Sequence, residues 1–183
     1  MSDQPIQPQS ENAQTPLNEA KFAAALDRRL QEMLSEQSIG KAIIFGILAA
    51  VAGALIWAAI TVITGSQIGY VAIGLGILVG FAVKFGGKGL TPVYGVIGAL
   101  LAVVSCILGN YFSGVGFVAS EGDLSYTETM KLLPIFSTIP LMLQELDPMD
   151  FLFFGLAGYF GYKFSIRSLD EDDLAAIQHE SQL

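Results

Sequence analysis

The chain has 183 residues, 52% of them hydrophobic and only 14% charged, with a formal net charge of −8. A soluble domain usually carries roughly a quarter of its residues as charges. The deficit therefore excludes an ordinary water-soluble core, and the acidic balance gives no electrostatic case for nucleic acid. A single thiol, Cys106, excludes an internal disulfide and any zinc site of the cysteine-cluster type.

Residues 1–16, with Pro5, Pro8 and Pro16 and almost nothing to bury, read as a disordered tail. They lack the basic start and apolar run of a cleavable signal peptide, so the first membrane helix is expected to act as the insertion signal. Residues 17–40 read as a cytoplasmic amphipathic helix that hinges at Ser38 and Gly40. Phe22, Leu26, Leu30, Met33 and Leu34 recur at spacings of three and four, while Asp27, Arg28, Arg29 and Glu32 lie off that stripe. Asn18 is the expected N-cap. Within 17–38, Phe22, Leu26, Leu30 and Met33 are the candidate contacts for a protein partner or a second copy of the chain, the membrane surface being a further option.

Residues 41–167 read as a membrane domain. The run 42–64 has no charge, and about 23 residues at ~1.5 Å each cross a hydrocarbon core of about 30 Å. Gly65-Ser66-Gln67 allows only a tight hairpin. A second span is expected from about Ile68 to Phe85, followed by the turn Gly86-Gly87-Lys88-Gly89. A third begins at Leu90, with Pro92 in its first turn, and runs to about Phe112.

Residues 113–150 read as an extracytoplasmic loop. In it, Ser125-Tyr126-Thr127-Glu128 has the form of a capping box that starts a helix, and Pro134 and Pro140 are expected to break it. An interfacial and a re-entrant placement both fit the apolar stretch 132–146. Asp147-Pro148-Met149-Asp150 opens a last helix, 151–166, expected to span with Lys163 snorkelling to the interface. Residues 168–183 read as an acidic cytoplasmic tail. The expected fold is thus an all-α integral membrane protein of about four transmembrane helices behind an N-terminal cytoplasmic amphipathic helix.

With four spans, Lys21, Arg28, Arg29, Lys41, Lys84, Lys88, Lys163 and Arg167 fall on one side and Lys131 alone on the other. The positive-inside rule then makes both termini cytoplasmic. Small residues mark the seams between helices: Gly46 and Gly53 in the first span, Gly76 and Gly80 in the second, Gly95, Gly98 and Gly109 in the third, Gly155 and Gly158 in the fourth. In lipid, close backbone approach at such residues does the packing. Leu101 is expected to face the lipid.

Other motifs carry little chemistry. Gly74, Gly76 and Gly80 lie inside an apolar span rather than after a strand, which favours helix packing over a dinucleotide site. Gly86-Gly87-Lys88-Gly89 resembles half a phosphate loop, but Gly89 stands where Ser or Thr is required. His179 is solitary, and Asp170 to Asp173 lack the alternation of a calcium loop. The first three spans hold no charge deep inside, which argues against ion-coupled transport. Gln67, Ser105 and Asn110 are expected to bond helix to helix. No catalytic, cofactor-binding or metal-binding residue is expected, and no cofactor.

Between Ile56 and Gly89 the chain carries Trp57, Thr64-Gly65, Gln67-Ile68-Gly69, the run Ala72 to Gly80 and Gly87-Lys88; Asp147 to Asp150 follows later. This set resembles a helical-hairpin module of small bacterial multi-pass membrane proteins of unassigned function. The resemblance implies a membrane-embedded hairpin in a bacterial inner membrane and transfers no functional residue. The function expected is a non-enzymatic interaction or assembly component whose partners are the lipid bilayer and a protein or second copy at 17–38. The alternative is a small oligomeric pore or passive transport component.

Overall fold

Among residues 11–182, which the computed structural model describes, every regular element is an α-helix. In chain order they are α1 (Glu11–Ser35), α2 (Ile39–Thr64), α3 (Tyr70–Gly87), α4 (Pro92–Glu121), α5 (Tyr126–Leu132), α6 (Ile135–Gln144), α7 (Pro148–Ser165) and α8 (Glu171–Ser181). The chain divides into two compact units, one made of Gln37–Arg167 and the other of the two ends, Met1–Glu36 with Ser168–Leu183.

In the unit 37–167, three helices are long and apolar enough to cross a membrane: α2, α3 and α4. That is the signature of a membrane protein. The count expected from the sequence was four. The difference is α7, where Asp150, Lys163, two tyrosines and three glycines dilute the apolar run. Even so, α7 packs against both α3 and α4, and α2 packs against the same two helices. Ser38 Oγ accepts from the Lys41 N–H at 3.3 Å to start α2. Gly65, at φ +66°, ends it in the left-handed conformation that glycine adopts without penalty.

The core is built from small and medium side chains. Ala42, Ala50, Val79, Val83, Tyr94 and Ala102 form one buried cluster, and Trp57, Ala72, Leu75, Cys106, Phe154 and Ala157 a second. The large aliphatic side chains lie mostly outside: Ile44, Leu48, Leu55, Ile63 and Leu100 are exposed. In water so much exposed apolar surface would drive association. Against hydrocarbon it meets its own kind, and the small residues are left to bring the helices together.

Several boundaries differ from the sequence reading. α4 does not stop at Phe112 but runs to Glu121, so the first part of the expected loop 113–150 is helical. The small residues there have helical partners. Ser113 Oγ donates to the Gly109 carbonyl at 2.7 Å, and Gly116 lies where a methyl group would come within 2.5 Å of Val62. Pro140 sits inside α6 rather than ending it. On an exposed helix the one lost N–H bond leaves a carbonyl that solvent can reach.

α5 begins as its capping box predicts. Ser125 Oγ accepts from the Glu128 N–H at 3.3 Å, and the Glu128 carboxylate accepts from the Ser125 N–H at 3.1 Å. At the start of α7, the Asp150 carboxylate accepts from the Asp147 N–H at 3.0 Å.

In the terminal unit, α1 begins at Glu11, so residues 11–16 of the expected tail are helical and Asn18 lies inside the helix rather than capping it. Residues 1–10 of that tail lie outside the described residues. The helix ends at Ser35, short of the expected 40. The acidic tail holds α8, whose start is closed by the Asp170 carboxylate accepting from the Asp173 N–H at 2.9 Å.

Candidate functional site

The glycines singled out by spacing on α2, α3 and α4 lie against a neighbouring helix. A methyl group at Gly46 would come within 2.5 Å of Leu101, and one at Gly53 within 2.7 Å of Leu75. At Gly76 it would strike the Ala157 carbonyl, and at Gly80 it would come within 2.8 Å of the Phe164 Cβ. At Gly95 it would meet the Tyr162 ring at 2.7 Å, at Gly98 the Gly161 carbonyl at 2.5 Å, and at Gly109 the Trp57 ring at 3.1 Å. Leu101, expected to face lipid, therefore packs toward α2.

The seam on α7 is not the expected one. Gly155 has nothing within 4 Å of where a Cβ would stand, and the nearest atom at Gly158 is Val103 at 3.4 Å. The buried face instead carries Phe154, Ala157, Gly161 and Ser165. These recur at three, four and four, which keeps one face inward on a helix of 3.6 residues per turn. Gly161 was legible by that rhythm, but only once the facing helices were known.

The glycine-lysine turn is closed by an aromatic ring. A methyl group at Gly87 would meet Ala42 and the Tyr94 ring at 2.6 and 2.7 Å, and at Gly89 it would fall within that ring. Lys88, not a glycine, takes the left-handed position at φ +50°, and its N–H donates to the Lys84 carbonyl at 2.8 Å. The space a phosphate would need is filled by Tyr94. The same end is tied by two backbone bonds, Ser38 N–H to the Gly87 carbonyl at 2.9 Å and Arg167 N–H to the Gly89 carbonyl at 2.8 Å. The start of α2, the end of α3 and the chain leaving α7 thus meet there. Lys41, Lys84, Lys88, Lys163 and Arg167 belong to these segments, whereas every carboxylate of 37–167 lies between Glu121 and Asp150.

Inside the bundle the polar side chains are neutral. Ser105 Oγ donates to the Ala50 carbonyl at 2.8 Å, joining α4 to α2, and Gln67 Nε2 donates to Asn110 Oδ1 at 3.4 Å. Ser165 Oγ donates to the Gly161 carbonyl at 2.5 Å. The Trp57 Nε1–H is buried without an acceptor. Such groups can hold helices in register but provide no acid, base or nucleophile pair. Among the described residues no three His, Cys, Asp or Glu side chains are grouped closely enough to hold a metal ion.

In the terminal unit, Phe22, Leu26 and Leu30 are half-buried and Met33 is only 2% exposed. Met33 is thus closed to an outside partner, contrary to its expected role. A signal for this lay in the tail, where Ile177, also buried, and Asp173 give the short acidic segment a face of its own. Arg29 Nη2 lies 2.7 Å from Asp173 Oδ1, and Arg28 Nη1 2.7 Å from Glu180 Oε1. The hydrogen bond to Asp173 is the main reason the Arg29 guanidinium is held above its ordinary value. Asp173, 3% exposed, is the buried member of the pair.

Compared with protein-family models, curated proteins and solved structures, the chain finds no match in any of the three.

Proposed function

We propose that this chain is a multi-pass membrane protein without catalytic activity, working as an interaction or assembly component. The observation that carries this reading is the division of the chain. An apolar bundle formed by 37–167 accompanies a separate charged helical pair built from both chain ends. A bundle held by neutral groups has little chemistry to perform, while a polar pair that uses both ends of the chain is suited to meeting other proteins. The partner surface is then a feature of α1 and α8 jointly, with the half-exposed Leu34 and Leu174 as its apolar points.

The same reading takes α7 as a fourth span. At about 1.5 Å per residue its 18 residues reach about 27 Å, close to a hydrocarbon core of about 30 Å. Lys163 in its last turn can snorkel. With α7 crossing, five of the six basic residues of 37–167 stand at one end and all its carboxylates on the other side or in the segments leading there. By the positive-inside rule the basic end is cytoplasmic, and both termini with it, in a bacterial inner membrane. Glycine-mediated contact between helices is our account of what holds the bundle. A pore within one chain has little room, since Ala42, Ala72, Val79 and Ala102 in the interior are fully buried.

The test is crosslinking in intact membranes followed by mass spectrometry, on the full chain and on a chain lacking residues 1–36. Loss of the captured protein on deletion is the expected result. Capture that survives deletion defeats the reading. Conductance in liposomes from the purified chain would replace it with the pore.

A further inference from the structure

On the outer face where α2 and α4 lie side by side there is a groove of about 520 Å³. Its walls come from Leu55, Ala59 and Val62 on α2 and Phe112 and Gly116 on α4, and Asp123 stands among the residues that line it. The groove exists because of side-chain size. Gly116 lets Val62 in, whereas Ala58, Ala59 and Ala119 leave unfilled the space that larger residues would occupy. Its volume falls within the range of about 300–1,000 Å³ that small-molecule sites occupy.

We propose that this groove binds an acyl chain of a phospholipid whose headgroup carries a primary amine, the amine being held at Asp123. The proposal rests on the reading of α2 and α4 as membrane spans. Leu55 and Ile63 on the same stretch of α2 are exposed, so the medium that can fill the groove is hydrocarbon. An unfilled apolar groove in contact with lipid forfeits dispersion contacts on one side, and an acyl chain restores them.

The headgroup preference comes from the groove's end. After α4 the chain turns through Gly122 and Asp123, and Leu124 N–H closes on the Ala119 carbonyl at 3.1 Å. Asp123 takes the left-handed φ of +50° while the adjacent Gly122, at −89°, does not. A side chain is thus kept at a position that glycine usually fills. Tyr126 Oη donates to the Phe112 carbonyl at 2.9 Å, which pins the first residue of α5 to the groove wall. The carboxylate is therefore held on a fixed turn at the groove. Glu121, Asp123, Glu128, Glu145, Asp147 and Asp150 follow one another with Lys131 as the sole base among them. That field attracts an ammonium headgroup and repels an anionic one.

The experiment is native mass spectrometry of the detergent-purified full chain offered equal amounts of phosphatidylethanolamine and phosphatidylglycerol with identical acyl chains. The wild type is expected to retain phosphatidylethanolamine about fivefold over phosphatidylglycerol, as one charge pair at an interface allows. Asp123→Asn should equalise the two lipids without releasing them. Ala59→Phe, which fills the groove from an exposed position, should lower retention of both lipids by at least about fivefold with an unchanged melting midpoint, and Ala59→Leu, a smaller intrusion, should fall between. Equal headgroup retention by the wild type, or full retention by Ala59→Phe and Ala59→Leu, overturns the proposal. A chain that stays folded and dispersed in buffer without detergent overturns the membrane reading beneath it, which a loss of lipid binding alone does not.

Discussion

Gly98 and Gly161 face each other where α4 crosses α7, and the relation is reciprocal. A methyl group at Gly98 would lie 2.5 Å from the Gly161 carbonyl oxygen, and one at Gly161 would lie 2.6 Å from the Gly98 carbonyl oxygen. Neither obstacle is a flexible side-chain tip, so neither can move aside without shifting a helix. This crossing fixes α7, the least apolar of the four long bundle helices, to its neighbours.

Replacing either residue should therefore separate α4 from α7. Gly98→Leu and Gly161→Val are each expected to cost about 1–3 kcal/mol, the usual range for forcing extra volume into a packed interior. Gly155→Ala has open space and should be neutral or stabilising by up to about 1 kcal/mol through helix propensity. Leu100→Ile, on the exposed side, should change little. Thermal unfolding in detergent ranks the four, and a Gly98→Leu protein as stable as Gly155→Ala would refute the account.

Ser105 joins two helices through one neutral bond to the Ala50 carbonyl. Ser105→Ala is expected to cost about 0.6 kcal/mol, the average for such bonds in a membrane protein, and no more than about 1.7 kcal/mol. The loss is modest because the Ala50 carbonyl keeps its place in the α2 helix. Reversible unfolding in mixed detergent micelles measures it, and an effect near zero would mean the bond is exchanged for another on unfolding.

In the terminal unit, Arg29 and Arg28 should differ in effect. Asp173 is buried, so Arg29→Leu takes the guanidinium from a carboxylate that water barely reaches and leaves it the Asp170 N–H at 3.4 Å, whereas Arg28→Leu removes a pair whose side chains are 70% and 44% exposed. Hydrogen exchange of the α8 amides should quicken markedly in Arg29→Leu and hardly at all in Arg28→Leu. Added salt should loosen the exposed pair more than the buried one. Equal exchange in the two variants would count against the α1–α8 pairing.

The start of α5 should be sensitive to acid. The Ser125 hydroxyl, 2.6 Å from the Glu128 carboxylate, and then the Ser125 N–H hold Glu128 below its ordinary value of 4.5. A carboxylate lowered in the folded state contributes stability that is fully present above the unfolded value and is lost as pH falls through the folded one. α5 should thus fray only when acidified below the ordinary carboxylate range. Ser125→Ala should move the Glu128 titration, followed by NMR, up toward 4.5. An unmoved midpoint would show that another group sets it.

The elements that read correctly from the sequence are those whose causes are local. An uncharged run long enough to cross hydrocarbon needs no neighbour to be recognised, so α2, α3 and most of α4 were legible. Ser125 and Glu128 complete their box within four residues, and Asp147 with Pro148 marks the start of α7 in two.

What the tertiary structure decided is which face meets which. Gly155 and Gly158 look as suitable as Ala157 and Gly161 in one dimension, and only the positions of α3 and α4 choose the second pair. Past Phe112, α4 runs on with Val62 standing opposite Gly116, a neighbour that the local sequence does not reveal. The acidic end became a helix because Asp170 caps it and α1 offers Arg29 to Asp173, a residue 144 positions away. Apolarity and capping are written in consecutive residues, whereas close approach is a property of two surfaces, and one strand of text holds only one of them at a time.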